Sequence, residues 1–450
     1  MSHSELLLGI DIGTTGIKAL LIDRDGQAAG IGSAPTPFGT VGGGVEMSFE
    51  ALRAAMASAV ASLGERRQRV VAVGLASMGE AGVPLDRAGG VAGPLIAWHD
   101  PRGGEIVRAL VEAFGERLPV RIGQPTRAQS SIAKIGWFIQ HGVAVARWLG
   151  ASELGLWALT GEQATEPSLA CRTGVYDVRS ACFVADVVAA VGAPTDVFPA
   201  VRAAGDAMGR VSSEGAAWLG LPVGIPVTVA GHDHMVGAVG VGIEEGDLLN
   251  SIGTSEALVR YTSAEINFAD AVAHGADVSI DPARGRLALM AGDLRPGQIV
   301  EAARRVLGDA AFTALNRRDQ LDGPDDGAPD EGRGREVLER LRVKDPAEYA
   351  DELAGVSWRS LVEAMTDHMW RCAEETIAPV AGPPSRIVLI GGGAGSDLWA
   401  AAKQRRAGLP VVRSRIEATA YGAALFAGRA AGLWTDMATA PRHALEPIAR

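Results

Sequence analysis

The sequence predicts an α/β protein of two related lobes, and three observations carry that expectation. At 450 residues the chain exceeds what one hydrophobic core usually supports, so two domains of roughly 200 residues each are expected. Short β-branched apolar runs alternate with segments whose apolar residues recur at helical spacing. Finally, the order apolar run, glycine turn, apolar run occurs at residues 6–23 and returns at residues 246–262, about 240 residues later, which points to two related halves rather than a short-period array. The boundary is expected near Val241, giving lobes of residues 1–241 and 242–450.

Taken in order, LLLGIDIGTTGIKALLID reads as strand, tight turn and strand, closing on Arg24-Asp25-Gly26. Ser48 then caps a helix with Leu52, Met56, Val60 and Leu63 at helical spacing, stopped by Gly64. Residues 70–75 are short and β-branched, a buried strand. Residues 212–219 begin with a polar cap and predict a helix, and residues 225–230 predict a strand leading into Gly-His-Asp-His at 231–234. In the second half, GDLLNSIGTSEALVRYT repeats the hairpin. Residues 317–335, rich in Asp, Gly and Pro with hardly an apolar residue, predict a surface loop. Ser357 caps a long helix whose stripe Trp358, Leu361, Met365, Met369 and Cys372 faces a core. Residues 387–390 then form a buried strand that feeds Gly391-Gly392-Gly393 and a further helix.

Composition limits the function. Apolar residues make up 47% and charged residues 21%, ordinary for a globular protein, whereas 58 glycines exceed the usual frequency of about 7%. A net charge of -11 argues against nucleic acid or an anionic membrane as the main partner, because both need clustered Lys and Arg. Cys171, Cys182 and Cys372 are far apart and form no CxxC, and the first residues carry no basic region followed by an apolar core, so a reducing cytoplasm is expected. No apolar stretch approaches the roughly 20 residues that span a bilayer.

Several residues could carry chemistry. In DIGTTGIK (11–18), glycines and small hydroxyls let the backbone turn its amides toward an anion; Thr14 and Thr15 add hydroxyl donors, and Lys18 adds charge, which suits terminal phosphates. Asp11 lies where a carboxylate could hold magnesium through water. The second turn, Ile252-Gly253-Thr254-Ser255, could grip the same polyphosphate from the other side, although neither turn is a Walker motif. Gly391 to Gly393 could let a purine approach the backbone. GHDH stays open between a metal site, a catalytic base and a polar turn. A metal-dependent hydrolase built on His232, Asp233 and His234 is disfavoured, because neighbours on an extended segment point to alternate sides.

The set GIDIGTTGIK, WHDPR (98–102), LTGE (159–162), GHD, IGTS, GGGAGSD and GAALFAG (422–428), in that order, resembles the FGGY carbohydrate kinases, which include glycerol kinase and the pentulose kinases. The resemblance touches nearly the whole chain. It implies two ribonuclease-H-like domains of the actin and hexokinase type with ATP in a central cleft. It implies Asp233 as the base on the sugar hydroxyl and Asp11, with Asp233, as magnesium-associated. Gly13, Thr14, Thr15 and Lys18 match the first phosphate hairpin, Gly253 and Thr254 the second, and Gly392, Gly393 and Asp397 the adenosine segment. For the sugar, Met78-Gly79-Glu80 stands where pentulose kinases resemble Met-His and glycerol kinase resembles Arg-Glu; Glu80 could accept from substrate hydroxyls and Trp98 could wall the carbon chain. The chain departs from the family in carrying only the acidic stretch 322–331 where an aromatic, Gly-Glu-Arg-Pro-containing segment is usual, so its C-terminal lobe is expected to be abbreviated.

The expected activity is transfer of the γ-phosphoryl group of ATP, with Mg2+, to a hydroxyl of a small sugar or polyol, a ketose such as a pentulose being favoured. The rival from another class is an actin-like or chaperone-like ATPase switch that phosphorylates no sugar. Expected partners are ATP and a small carbohydrate, without nucleic acid or membrane and with room for a homodimer.

Overall fold

The computed structural model describes residues 5–317, 330–344, 346–353 and 355–448. Two mixed sheets form its frame. The first is six-stranded, in the order Gly209–Arg210, Pro226–His232, Val70–Ser77, Leu6–Ile12, Gly16–Ile22, Ala28–Pro35. The second is seven-stranded, in the order Asp277–Ile280, Leu287–Leu294, Glu256–Thr262, Asp247–Ile252, Arg386–Ile390, Val411–Arg413, Glu446–Pro447.

The repeat expected from the sequence extends to topology. In each sheet the leading strand, Leu6–Ile12 or Asp247–Ile252, pairs antiparallel with the strand that follows it. On its other side it pairs parallel with a later strand, Val70–Ser77 or Arg386–Ile390. That strand in turn pairs parallel with the next, Pro226–His232 or Val411–Arg413. Both leading strands are buried along nearly their whole length, as strands covered on two faces are; the first reads as an almost continuous apolar run, whereas the second also buries Asp247, Asn250 and Ser251. This is the two-lobed α/β architecture of the actin and hexokinase type.

One helix ties the frame together. Ala418–Ala430, ATAYGAALFAGRA, is buried along most of its length, and alanine and glycine let it sit almost on the backbone of its neighbours. Gly9 and Gly74 are register partners on adjacent strands of the first sheet; a Cβ at Gly9 would lie 1.8 Å from the Ala420 carbonyl oxygen, and one at Gly74 1.9 Å from that of Ala423. The helix Asp233–Gly240 packs as closely, since a Cβ at Gly422 would lie 2.2 Å from the Val236 oxygen.

Most local expectations hold. Ser48 accepts from the Ala51 amide at 3.1 Å and caps Phe49–Ala61, which ends before the expected Leu63. Ser212 caps Ser213–Leu219 and Ser357 caps Trp358–Cys372, each by accepting a backbone amide two or three residues into the helix. Two expectations are corrected. The strand expected at 225–230 runs as Pro226–His232 and carries the first histidine of GHDH as its last residue. The loop expected at 317–335 lies largely outside the described residues, but its end is helical: Asp330 accepts from the Arg333 amide at 2.9 Å and caps Glu331–Val343. Here a carboxylate cap and the apolar residues Val337, Leu338 and Leu341 outweigh the turn-prone composition of Gly332 and Gly334. Among the described residues no helix is long and apolar enough to cross a membrane.

The close contact yields a stability prediction. Gly74→Ala should lower the stability by about 3 kcal/mol or more, because the methyl meets backbone and not a movable side chain. Gly39→Ala, where a Cβ meets nothing within 4 Å, should change it by less than about 0.5 kcal/mol. Equal melting temperatures for the two variants, read by thermal denaturation, would contradict this packing.

Candidate active site

The three parallel strands of the first sheet end side by side, and their carboxyl ends open on one cleft, the usual location of a ligand site in such a sheet. Leu6–Ile12 delivers Asp11 and the turn after it. Val70–Ser77 delivers Met78, Gly79 and Glu80, and the Met78 amide donates to the Ile12 oxygen at 3.1 Å. Pro226–His232 delivers Asp233. Thr14, Met78, Glu80, Trp98 and Asp233 line a single cavity of about 540 Å³, faced from the second half of the chain by Ser255, Asp277 and Arg295.

Asp233 sits at a break. The chain leaves the strand at His232 and begins the helix Asp233–Gly240 at the next residue. Gly231, at φ 136°, makes the break possible, for a Cβ there would lie 2.7 Å from Ser168 Oγ. That hydroxyl accepts the His232 amide at 2.9 Å and donates to Glu166 Oε1 at 2.6 Å. Asp233 Oδ1 accepts the His234 amide at 2.7 Å and lies 3.2 Å from His232 Nε2 and 3.7 Å from His234 Nε2. From the other half of the chain, Thr419 Oγ1 donates to the Asp233 carbonyl at 3.2 Å. Burial pushes the Asp233 carboxyl up to about 7. Burial pushes both imidazoles down, that of His234 to about 4 with help from the Arg172 charge, so they are neutral near pH 7.

The break also brings the three side chains of His232, Asp233 and His234 to one side. Alternation applies to extended chain, and this segment is extended only as far as His232. The donor atoms of His232, Asp233 and His234 lie within 4.8 Å of one another and could hold a metal ion.

Asp11 and Lys18 face each other across the first hairpin. Asp11 Oδ1 is buried without a hydrogen-bond partner, and burial followed by the Asp233 charge pushes this carboxyl well above its usual range. A cation between the two carboxylates would relieve both effects. Lys18 Nζ pairs with Glu417 Oε2 at 2.5 Å, just ahead of the helix Ala418–Ala430. In the turn, the Gly13 amide donates to the Gly16 oxygen at 3.1 Å. The Gly253 amide makes the matching bond to the Ser255 oxygen at 3.0 Å, and Thr15 and Thr254 meet tip to tip, Oγ1 to Oγ1, at 2.5 Å.

On the sugar-expected side, Trp98 Nε1 donates to Thr14 Oγ1 at 2.9 Å, joining the cavity wall to the first hairpin. Glu80 is no exposed loop carboxylate. Its side chain is 8% exposed, its backbone is held at φ 60°, and Arg172 binds it through Nε at 2.8 Å and through Nη2. Arg172 Nη1 also reaches Asp277 Oδ2 at 3.1 Å, where Arg127 Nη1 joins at 2.7 Å. Gly79 leaves the room for this, since a Cβ would lie 2.6 Å from Arg172 Cγ. Sequence reasoning missed Arg172, Asp277, Glu166 and Glu417; Arg172, Asp277 and Glu417 meet their partners only through tertiary contact, whereas Glu166 carries a local signal, since it caps Pro167–Cys171 by accepting the Ser168 and Leu169 amides.

Gly392, Gly393 and Asp397 do not line the cavity. They follow the strand Arg386–Ile390 in a turn, Gly392–Gly395, and the helix Asp397–Ala407. Gly393 packs on the second hairpin, for its Cβ would meet Ile252 Cγ2 at 2.3 Å, whereas Gly392 has open space. Asp397 Oδ1 pairs with Arg413 Nη1 at 2.7 Å.

Comparison with known proteins agrees with this geometry. Residues 6–240 match the profile described as the FGGY family of carbohydrate kinases, N-terminal domain. The chain is 26% identical over 444 residues to L-fuculokinase of Escherichia coli K12, covering 94% of this chain and 92% of the relative. It is 26% identical over 456 residues to xylulose kinase of Streptomyces coelicolor, with 97% and 90% covered. The crystal structure of xylulose kinase from Rhodospirillum rubrum superposes with a TM-score of 0.77 at 24% identity, over 98% of this chain and 94% of that one.

Glu166, which anchors the strand break, gives a pH prediction. Burial raises its carboxyl from 4.5 to about 7, so the folded state binds more protons than the unfolded state between those values. The contribution is fully present below pH 4.5 and is lost as pH rises through 7. The melting temperature should therefore fall from pH 5 to pH 8, and Glu166→Gln should flatten that fall; an unchanged slope in the variant would contradict the assignment.

Proposed function

Because the chain belongs to the FGGY family of carbohydrate kinases, a family of phosphotransferases that act on sugar or polyol hydroxyls, we propose that it moves the γ-phosphoryl group of ATP onto a hydroxyl of a small neutral sugar or polyol, with a ketose such as a pentulose as the favoured acceptor. The observation that carries this is the state of Asp233. One carboxylate oxygen is held by the His234 amide and flanked by two neutral imidazoles, and the side chain faces the cavity shared with Thr14, Glu80 and Trp98. Its other oxygen accepts the hydroxyl proton as the bond to phosphorus forms.

A neutral acceptor fits the wall beside it. Glu80 and Asp277 balance Arg172 and Arg127, so the network offers donors and acceptors without net charge, as a polyol requires. The names L-fuculokinase and xylulose kinase support a ketose.

The two hairpins hold the polyphosphate. Gly13, Thr14, Thr15 and Lys18 contribute from one side, and Gly253 and Thr254 from the other. Gly392, Gly393 and Asp397 form the adenosine side. In this assignment residues 1–241 hold the sugar and residues 242–450 the nucleoside. The unpartnered Asp11 Oδ1 fits a magnesium ion held by Asp11 with Asp233. When bound, it neutralises phosphate charge. The loose transition state needs positioning and charge neutralisation more than covalent chemistry, and closure of the lobes would exclude water.

ADP release measured across pentuloses, hexuloses, tetritols and other polyols tests this. One carbohydrate should stimulate turnover, and Asp233→Ala should lower it by at least about 10³-fold while ADP still binds. Turnover indifferent to every carbohydrate, or retained in Asp233→Ala, would reject the assignment.

A further inference from the structure

The cations at the cleft are nearly all accounted for. Arg172 is shared between Glu80 and Asp277, and Arg127 is held by Asp277. Lys18, the cation that the sequence places at the phosphates, is held by Glu417. Arg295 differs. It lines the cavity from the second half of the chain, and among the described residues no carboxylate pairs with it. Its guanidinium instead lies 5.5 Å from the ring centre of Trp98.

Its placement is set from both sides of the cleft. Arg295 immediately precedes the helix Pro296–Leu307. That helix start is pressed on the second hairpin: the Gly297 amide approaches the Thr254 oxygen at 3.4 Å, and a Cβ at Gly297 would lie 2.8 Å from Thr254 Cα. Across the cleft, the indole under the guanidinium donates to Thr14 of the first hairpin. The positive charge is felt locally, for it adds to burial in pushing the His99 imidazole down to about 4. A cation anchored beside both phosphate hairpins, with a π face and no anion as neighbour, is poised for an anion that arrives with a ligand.

Resting on the kinase assignment above, we propose that Arg295 is a catalytic residue that binds the phosphoryl group in transit. The bond from the transferred phosphorus to the ADP oxygen breaks as the bond to the sugar oxygen forms, and the hydroxyl proton goes to Asp233. Arg295 donates its N–H groups to the phosphoryl oxygens throughout and neither gains nor loses a proton. An arginine supplied from the opposite side of a cleft suits this task, because its charge is permanent and its donors are fixed in a plane.

The test uses the full chain and Arg295→Ala, a change at an exposed side chain. With the best acceptor found, kcat should fall roughly 10²-fold or more, the acceptor KM should move less than about 3-fold, and added guanidinium should restore part of the rate. By calorimetry, the wild type should bind AMP-PNP more tightly than ADP in the presence of magnesium, and the variant should lose that preference. Trp98→Ala keeps the guanidinium and removes the stack. If it matches Arg295→Ala and guanidinium rescues neither, Arg295 is a mechanical latch and the proposal fails. A loss confined to the KM of carboxylate-bearing sugars would assign the anion to the acceptor and overturn it as well. Unchanged kcat in the variant of an active enzyme overturns this proposal alone, whereas a wild type that binds neither nucleotide overturns the kinase assignment with it.

Discussion

The approach of the helix Ala418–Ala430 to glycine backbone is the constraint on which the rest of the molecule depends. Side chains larger than hydrogen at Gly9, Gly74 or Gly422 would collide with main-chain oxygens, so small residues fix the distance between the last helix and the first sheet. The cost is conformational freedom lost at glycine on folding; the return is dense contact with no gap to relax into. Position at the cleft follows from it. Glu417, one residue before the helix, holds Lys18, and Thr419, in its first turn, holds the Asp233 carbonyl. A segment more than 180 residues away in sequence thereby sets where the proposed base and the first hairpin stand.

A second constraint acts at the other end of the same carboxylate. The strand stops at His232 because Gly231 adopts a backbone that other residues rarely take and because Ser168 and Glu166 occupy the space beside it. The resulting turn brings three side chains together that an extended chain would spread to two faces. Burial, the largest influence on Asp233, raises its affinity for a proton, the direction a general base requires to work near neutral pH. The flanking imidazoles stay neutral for the same reason and add no charge beside the carboxylate. Across the cavity, Glu80 carries a strained backbone beside which Arg172 binds its carboxylate, and the same arginine ties this wall to Asp277 of the second sheet.

Much of this was legible in the residues. Glycine turns between apolar runs identify both hairpins, serines identify helix starts, and the repeat of the hairpin foreshadows the repeat of strand order. Thr14, Met78, Glu80, Trp98 and Asp233 do meet in one cavity. The sequence concealed what tertiary contact alone creates. Arg172 lies 92 residues from Glu80 and 105 from Asp277, and nothing local marks either as a partner. The period-two rule failed at GHDH because it presumes a strand that continues, and the strand ends inside the motif. Composition misjudged residues 331–335, where a capping aspartate and a buried apolar face make helix from a stretch rich in glycine and charge.

The most direct measurement of the central claim follows the label from [γ-³²P]ATP supplied to the full chain with magnesium and a panel of neutral ketoses and polyols. The account predicts that one carbohydrate becomes labelled and that inorganic phosphate accumulates slowly without it. Label appearing only in inorganic phosphate, at a rate no carbohydrate alters, would contradict it.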